Sequence, residues 1–426
     1  MTYINRLSPI QTIAIHLLFV VGLYWLLVAC GFVNELTKET RILQWDANWY
    51  KSIAQSNYWY STKEQSNSGF FPLFPFFWKY LNTSAIGICL INWFISLTGI
   101  FFLAKTFTIS NTTILQYLSL PSLFFCYVPY AESLFFAFGT LLLYGIKKDL
   151  PLLVFIGCFL AACTKATAIF FIPSFAIMIL FSIPFNQINV FKTIQRFLFF
   201  SFSVCLGIAA VVLIQYAQTG VWFAYFKTQS SMWGRTFNIP VFPLTTWDAH
   251  RILSLDIFAF ILGTAALAVF LVQSFRTIIS NKTKAFTNDA SYWFSVGFLI
   301  MVLFSILFFN PIDAATQTTS ILSINRYMLV SPFVLVVLHQ HSFSIKLTTK
   351  QLLGSSLFII LILLSFKWNL QPHSIILFIC LVAYLVGYVL MLVDERFKNF
   401  RLLYYFINCV LQLLLFDSFI SAYWVG

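Results

Sequence analysis

FLFFSFSVCLGIAAVVLIQYA, residues 197–217, runs for 21 positions without one Asp, Glu, Lys or Arg. About 20 apolar residues cross a bilayer as a helix, and a run this continuous lacks the in-out alternation of a transmembrane β-strand. Working outward, comparable blocks recur at about 9–33, 84–106, 114–130, 132–146, 151–163, 166–184, 252–275, 291–309, 327–342, 352–367, 374–393 and 402–422. Together they predict an all-α polytopic membrane protein of about thirteen transmembrane helices, range 11–13, in a single integral membrane domain over 1–426. The whole chain agrees with this local reading. It has 426 residues, 60% hydrophobic and only 9% charged, whereas a soluble domain carries roughly 25% charge. That balance excludes a soluble enzyme, a disordered chain and a disulfide-stapled secreted domain. The block after Arg6 starts like a signal sequence. It is too long and lacks a small-residue cleavage site, so it reads as an uncleaved anchor.

The net charge is +12, yet no loop is a Lys/Arg-rich block, so the partners are membrane lipids and phosphates and not nucleic acid. With the N-terminus inside, fourteen basic residues face the cytoplasm and ten face outward, with Lys165 between helices. Nine of the outer ten lie in three loops, 34–83, 218–251 and 310–326. Residues 151–184 are too long for one span, while both flanks carry basic, cytoplasmic residues. Two short helices turning near Thr164-Lys165 satisfy both facts and put Lys165 in or beside a cavity. The eight cysteines sit in apolar stretches without metal-type spacing and read as small core residues.

The first outer loop carries Gln44-Trp45-Asp46-Ala47-Asn48-Trp49-Tyr50-Lys51-Ser52-Ile53-Ala54. Its aromatic and apolar spacing at 45, 49, 53 and 54, with 46, 50 and 57 on an adjoining stripe, predicts a short interfacial helix. Asp46 falls near its N-terminal end, either as a cap or as a working carboxylate. Farther on, Phe70-Phe71-Pro72-Leu73-Phe74-Pro75 reads as extended backbone, because two prolines three apart disfavour a helix.

Trp45-Asp46-Ala47-x-Trp49-Tyr50-x-x-Ile53-Ala54, followed by Tyr58 and the 70–75 segment, resembles the PIG-V family, that is, GPI mannosyltransferase II and its bacterial relatives within the GT-C membrane glycosyltransferases. The resemblance continues through Tyr130-Ala131-Glu132-Ser133-Leu134-Phe135, Lys165 and Asn325-Arg326-Tyr327. It departs from the eukaryotic enzymes at Asn48, where they have a His in the aromatic pair, and at Gln44 and Asn57, where a basic residue and a Gly are frequent. What it implies is a GT-C-like bundle whose long first extracytoplasmic loop is catalytic and carries short interfacial helices. The site would lie on the outer face of a bacterial inner membrane. The donor implied is a hexose, by resemblance mannose, on a polyprenyl phosphate. The acceptor implied is a lipid-linked or cell-envelope glycan.

An inverting transfer needs a base for the acceptor hydroxyl, and Asp46 is the candidate. The leaving phosphate needs cations, for which Arg326, Lys165 and Arg235 are the candidates in that order. Trp45, Trp49, Tyr50, Tyr58, Glu132 and Tyr327 are the candidate substrate-binding residues. Each has a plainer reading. Arg326 would snorkel to headgroups, Lys165 would pair with Glu132, Glu132 would cap its helix, and Arg235 would decorate a solvated loop. A second Trp247-Asp248-Ala249-His250-Arg251 reads as another interfacial helix or as chance. No metal-ligand spacing occurs, so no cofactor is indicated; some GT-C enzymes use a divalent cation. The alternative function is a lipid-linked glycan flippase or secondary transporter, which would be built from paired broken helices.

Overall fold

The computed structural model describes residues 7–36, 38–182, 189–246, 253–280, 289–341, 348–367 and 372–425. Arg6 and the second Trp-Asp-Ala motif, with His250 and Arg251, lie outside them. The described chain is helical throughout. In order the helices are α1 Pro9–Ala29, α2 Asp46–Ser56, α3 Leu73–Leu81, α4 Ala85–Phe107, α5 Asn111–Leu118, α6 Glu132–Lys147, α7 Pro151–Thr164, α8 Phe171–Ser182 and α9 Val190–Thr219. Then follow α10 Ala224–Met232, α11 Leu253–Ser280, α12 Ala290–Phe309, α13 Ile324–Leu329, α14 Pro332–His341, α15 Thr349–Leu364, α16 Pro372–Val393 and α17 Arg401–Ile420. Extended pieces pair only as isolated bridges among the described residues.

Helix starts follow local chemistry. Ser8 and Gln11 form a reciprocal capping box with Pro9 at the first position of α1, and Thr348 and Gln351 do the same for α15. Among the described residues, six helical stretches are long and apolar enough to cross a membrane: Pro9–Ala29, Ala85–Phe107, Val190–Thr219, Leu255–Thr277, Ala290–Phe309 and Glu395–Ile420. Shorter apolar helices include Pro151–Thr164, Ala166–Ser182, Thr349–Leu364 and Phe378–Leu392. Leu18, Phe94, Phe202 and Leu213 stand exposed on the long spans, as lipid-facing side chains do. The chain is an all-helical membrane protein.

Helices α6 and α7 form an antiparallel hairpin at the centre. They approach closely at Gly157, where an added Cβ would lie 2.8 Å from the Leu142 nitrogen and 2.9 Å from the Phe138 oxygen. Helix α9 covers the other side of α7 through Gly207, whose added Cβ would lie 2.7 Å from the Phe159 oxygen. Next to the hairpin, α8, α12 and α14 share a phenylalanine core. Phe171 packs on Phe294 and Phe333 at 5.5 Å between centroids, and Phe298 on Phe333 at 4.4 Å. At the hairpin's Lys147 end the polar contacts are Lys147–Asp289 at 2.5 Å and Arg196–Asp149 at 3.1 Å.

Four expectations change. The 114–130 block is not one helix; α5 ends at Leu118 and a 3-10 stretch, Pro121–Cys126, follows. Eight α-helical residues rise only about 12 Å, so α5 cannot span. The 327–342 block is broken between α13 and α14 just before Pro332, whose ring disfavours helix at the preceding residue. Residues 70–75 do not run extended throughout. Pro72 caps α3 and Pro75 lies in its first turn, where proline's missing N–H costs nothing. Not every cysteine is a core residue either: Cys126, Cys158, Cys163 and Cys409 are buried, but Cys30, Cys205 and Cys380 are exposed. The paired short helices at 151–184 are present as α7 and α8, with Lys165 in extended backbone between them.

Candidate functional site

Asp46 opens α2 as its first helical residue, and the cap position belongs to Trp45. Trp45 turns the chain at φ +52°, a region that bulky residues avoid at a cost of about 1–3 kcal/mol. Its indole is held in return: Nε1 donates to the Tyr423 carbonyl at 3.2 Å, and the ring meets Trp424 edge-on at 5.0 Å. The buried face of α2 is Ala47, Tyr50, Ile53 and Ala54; it keeps Ile53 and Ala54 of the expected stripe but carries Ala47 and Tyr50 in place of Trp45 and Trp49. That rotation leaves Asp46 partly exposed and aimed at Arg326, whose Nη1 donates to Asp46 Oδ2 at 2.6 Å.

Glu132 is the first residue of α6, where the helix dipole favours a carboxylate. The turn before it is fixed by Asn92 of α4, which donates to the Val128 and Tyr130 carbonyls at 2.7 and 3.1 Å and accepts from Ser133 at 2.6 Å. Glu132 is buried and its Oε1 accepts from both Arg326 Nε and Lys165 Nζ, the latter at 2.8 Å. Its Oε2 is buried with no hydrogen-bond partner among the described residues. The interhelical pair of Lys165 with Glu132, one of the two roles left open by the sequence, is therefore formed, at the same place as the anion-binding candidates.

Arg326 is buried on α13 beneath the rings of Tyr130 and Phe125, 4.5 and 5.4 Å from its guanidinium carbon. Tyr327 receives a hydrogen bond from Arg235 Nη2 on its hydroxyl at 3.1 Å, and Lys165 Nζ lies 4.8 Å from its ring centroid. Arg235 is presented by Gly234, at φ +61°, after α10. Asp46, Glu132, Lys165, Arg326, Tyr327 and Arg235 thus form one connected cluster, drawn from α2, α6, the α7–α8 turn, α13 and the segment after α10. Three cations face two carboxylates. The guanidinium of Arg326 fills the point on which both carboxylates converge, which is where a cation shared by Asp46 and Glu132 would have to sit.

Trp49 belongs to an aromatic cluster beside the ions. It stacks on Phe70 at 6.1 Å and meets Trp233 and Trp59 at 6.5 Å; Trp233 is two residues from Arg235. Tyr50 is buried against Phe70 and Phe74 at 5.2 and 5.0 Å. Tyr58 is also buried, its hydroxyl donating to the Phe70 carbonyl at 2.9 Å and its amide to Gln218 at 2.8 Å. Among the described residues, none of the Trp45, Tyr50 and Tyr58 side chains hydrogen-bonds to the ion cluster.

Sequence reading missed three supports. Asp256 of α11, fully buried, accepts from Thr246 Oγ1 at 2.7 Å and from Asn325 Nδ2 at 2.6 Å, while Ser122 donates to Asn325 Oδ1 at 3.1 Å. This network fixes the residue next to Arg326. The signal was a lone carboxylate inside a membrane-length apolar run. Gln215 of α9 ties the segment between α2 and α3 to α10, donating to the Ser68 and Phe70 carbonyls at 3.0 and 3.1 Å and accepting from the Tyr225 amide at 3.0 Å. Trp233 and Trp59 complete the aromatic cluster. Comparison with protein-family models, with curated proteins and with solved structures finds no match to this chain.

Proposed function

We propose that the protein is a GT-C-type glycosyltransferase, PIG-V-like, that moves a hexose, mannose by resemblance, from a polyprenyl phosphate to a hydroxyl of an envelope or lipid-linked glycan with inversion. The observation that carries this reading is the ion cluster, in which Asp46, Glu132, Lys165, Arg326 and Arg235 converge from distant parts of a hydrophobic chain. Gathering five ionisable groups, Glu132 and Arg326 buried and the other three partly so, is costly unless they face a charged ligand or one another. Their formal sum is one positive charge, which matches a singly charged phosphodiester. Asp46, the more exposed carboxylate, is the base; Arg326, Lys165 and Arg235 receive the phosphate charge that develops as the glycosidic bond breaks. The aromatic cluster around Trp49 offers flat faces to sugar rings or a prenyl chain. In this reading the bundle has the GT-C count of membrane helices, the 34–83 loop is catalytic, and the site opens on the extracytoplasmic face of a bacterial inner membrane.

A second reading, a lipid-linked glycan transporter, draws on one observation. The break between α13 and α14 gives the broken pair α7–α8 a counterpart. Purified protein in liposomes separates the two. Labelled polyprenyl-phosphate hexose, supplied with an extracted envelope-glycan and lipid-linked-glycan acceptor fraction, yields a covalent glycan product if the enzyme reading holds; counterflow of intact label without product removes it.

A further inference from the structure

The two carboxylates on Arg326 are not equivalent. Glu132 is 2% exposed and gripped from a second side by Lys165, itself 11% exposed. Asp46 is 18% exposed, lies on a loop helix, and has Arg326 as its sole ion-pair partner among the described residues. Arg326 is 4% exposed, with Tyr130 and Phe125 close to its guanidinium. An incoming anion therefore reaches Nη1 through the position that the Asp46 carboxylate holds.

We infer that this position is an anion subsite which Asp46 and a substrate phosphate occupy in turn, so that phosphate binding displaces Asp46 and the displaced carboxylate becomes the base. The inference rests on the reading of the cluster as a sugar-phosphate site. While Arg326 Nη1 donates to Asp46 Oδ2, the carboxylate is turned to the guanidinium and not to an acceptor hydroxyl. Released from Arg326, Asp46 accepts the proton of the acceptor hydroxyl as that oxygen bonds to the anomeric carbon. The bond from that carbon to the phosphate oxygen breaks, and its electron pair stays on the phosphate, which Arg326, Lys165 and Arg235 hold. Donor binding thus precedes acceptor activation, and water meets no unpaired base before the donor is in place.

The test is equilibrium binding of radiolabelled farnesyl phosphate to the full-length protein in detergent, compared with Asp46→Asn and Asp46→Ala at equal folded concentration. Removing a competing charge-assisted bond tightens binding by about tenfold or more in both variants, although neither can use Asp46 as a base. Equal or weaker binding by the variants, with clear binding by the unaltered protein, overturns the shared subsite and leaves the phosphate-site reading standing. Absence of binding by all three proteins overturns that reading and the inference with it. An Arg326→Gln protein binds at least about tenfold more weakly if Arg326 is the anchor.

Discussion

Asp46 and Arg326 are separated by 280 residues in the chain and joined by a 2.6 Å charge-assisted hydrogen bond in the fold. The bond links α2, in the segment between α1 and α4, to the short buried helix α13. In the proposed reaction it couples the base, Asp46, to the phosphate-holding Arg326, and the predictions below follow from that coupling.

Arg326→Lys keeps the charge but loses the fork that serves Glu132 through Nε and Asp46 through Nη1. Transfer activity falls by about 10²-fold or more, measured as initial rates in membranes with matched expression. Activity within a factor of two of the unaltered protein would show that charge alone suffices.

Glu132→Gln leaves Arg326 and Lys165 without their shared anion. Breaking a buried ion pair from one side costs about 3–5 kcal/mol, read as a lower midpoint of thermal unfolding in detergent. Adding Lys165→Met to Glu132→Gln removes one of the stranded cations and restores part of the loss. Simple additivity of the two substitutions would deny that they share a network.

Asp256→Ala strands the Asn325 amide that fixes the start of α13. Stability falls by about 1–3 kcal/mol, and the rate at saturating donor falls as Arg326 loses its setting. Asp256→Asn, of the same shape, recovers more of the rate than Asp256→Ala. Equal loss in the two would assign Asp256 a role other than positioning.

Gly157→Ala inserts a methyl 2.8 Å from the Leu142 nitrogen. Backbone atoms on the facing helix must give way, so the hairpin parts by about half an ångström or more, at about 1–3 kcal/mol, and Lys165 moves relative to Glu132. The check is a paired loss of unfolding midpoint and of transfer rate. Unchanged values in both would mean that the close α6–α7 approach is dispensable.

Much of the fold was open to sequence reading because a bilayer imposes a simple demand, a run of apolar residues of fixed length. Helices such as α4, α9 and α12 follow from that demand. The breaks at residues 119–120 and 330–331 do not, since the length of an apolar run takes no account of Pro121 and Pro332, which follow the breaks and disfavour helix at the residue before them. Pro72 and Pro75 were misread for a related reason: proline stops a helix from within yet suits its first turn. In the site, Asp46, Glu132, Lys165, Arg235 and Arg326 stood out as charges beside apolar or aromatic segments, and they converge. Asn325 and Asp256 pair across 69 residues through a tertiary contact that no local pattern announces. Tyr50 and Tyr58, candidates for substrate contact, are buried among ring and carbonyl partners in the fold.

The most direct test of the central claim is transfer of labelled mannose from synthetic polyprenyl-phosphate mannose to endogenous acceptors, in membranes containing either the unaltered protein or Asp46→Asn at equal expression. The account predicts labelled glycan with the unaltered protein and a loss of about 10²–10⁴-fold in the variant. Equal labelling by the two proteins would contradict it, because the proton would then be going elsewhere.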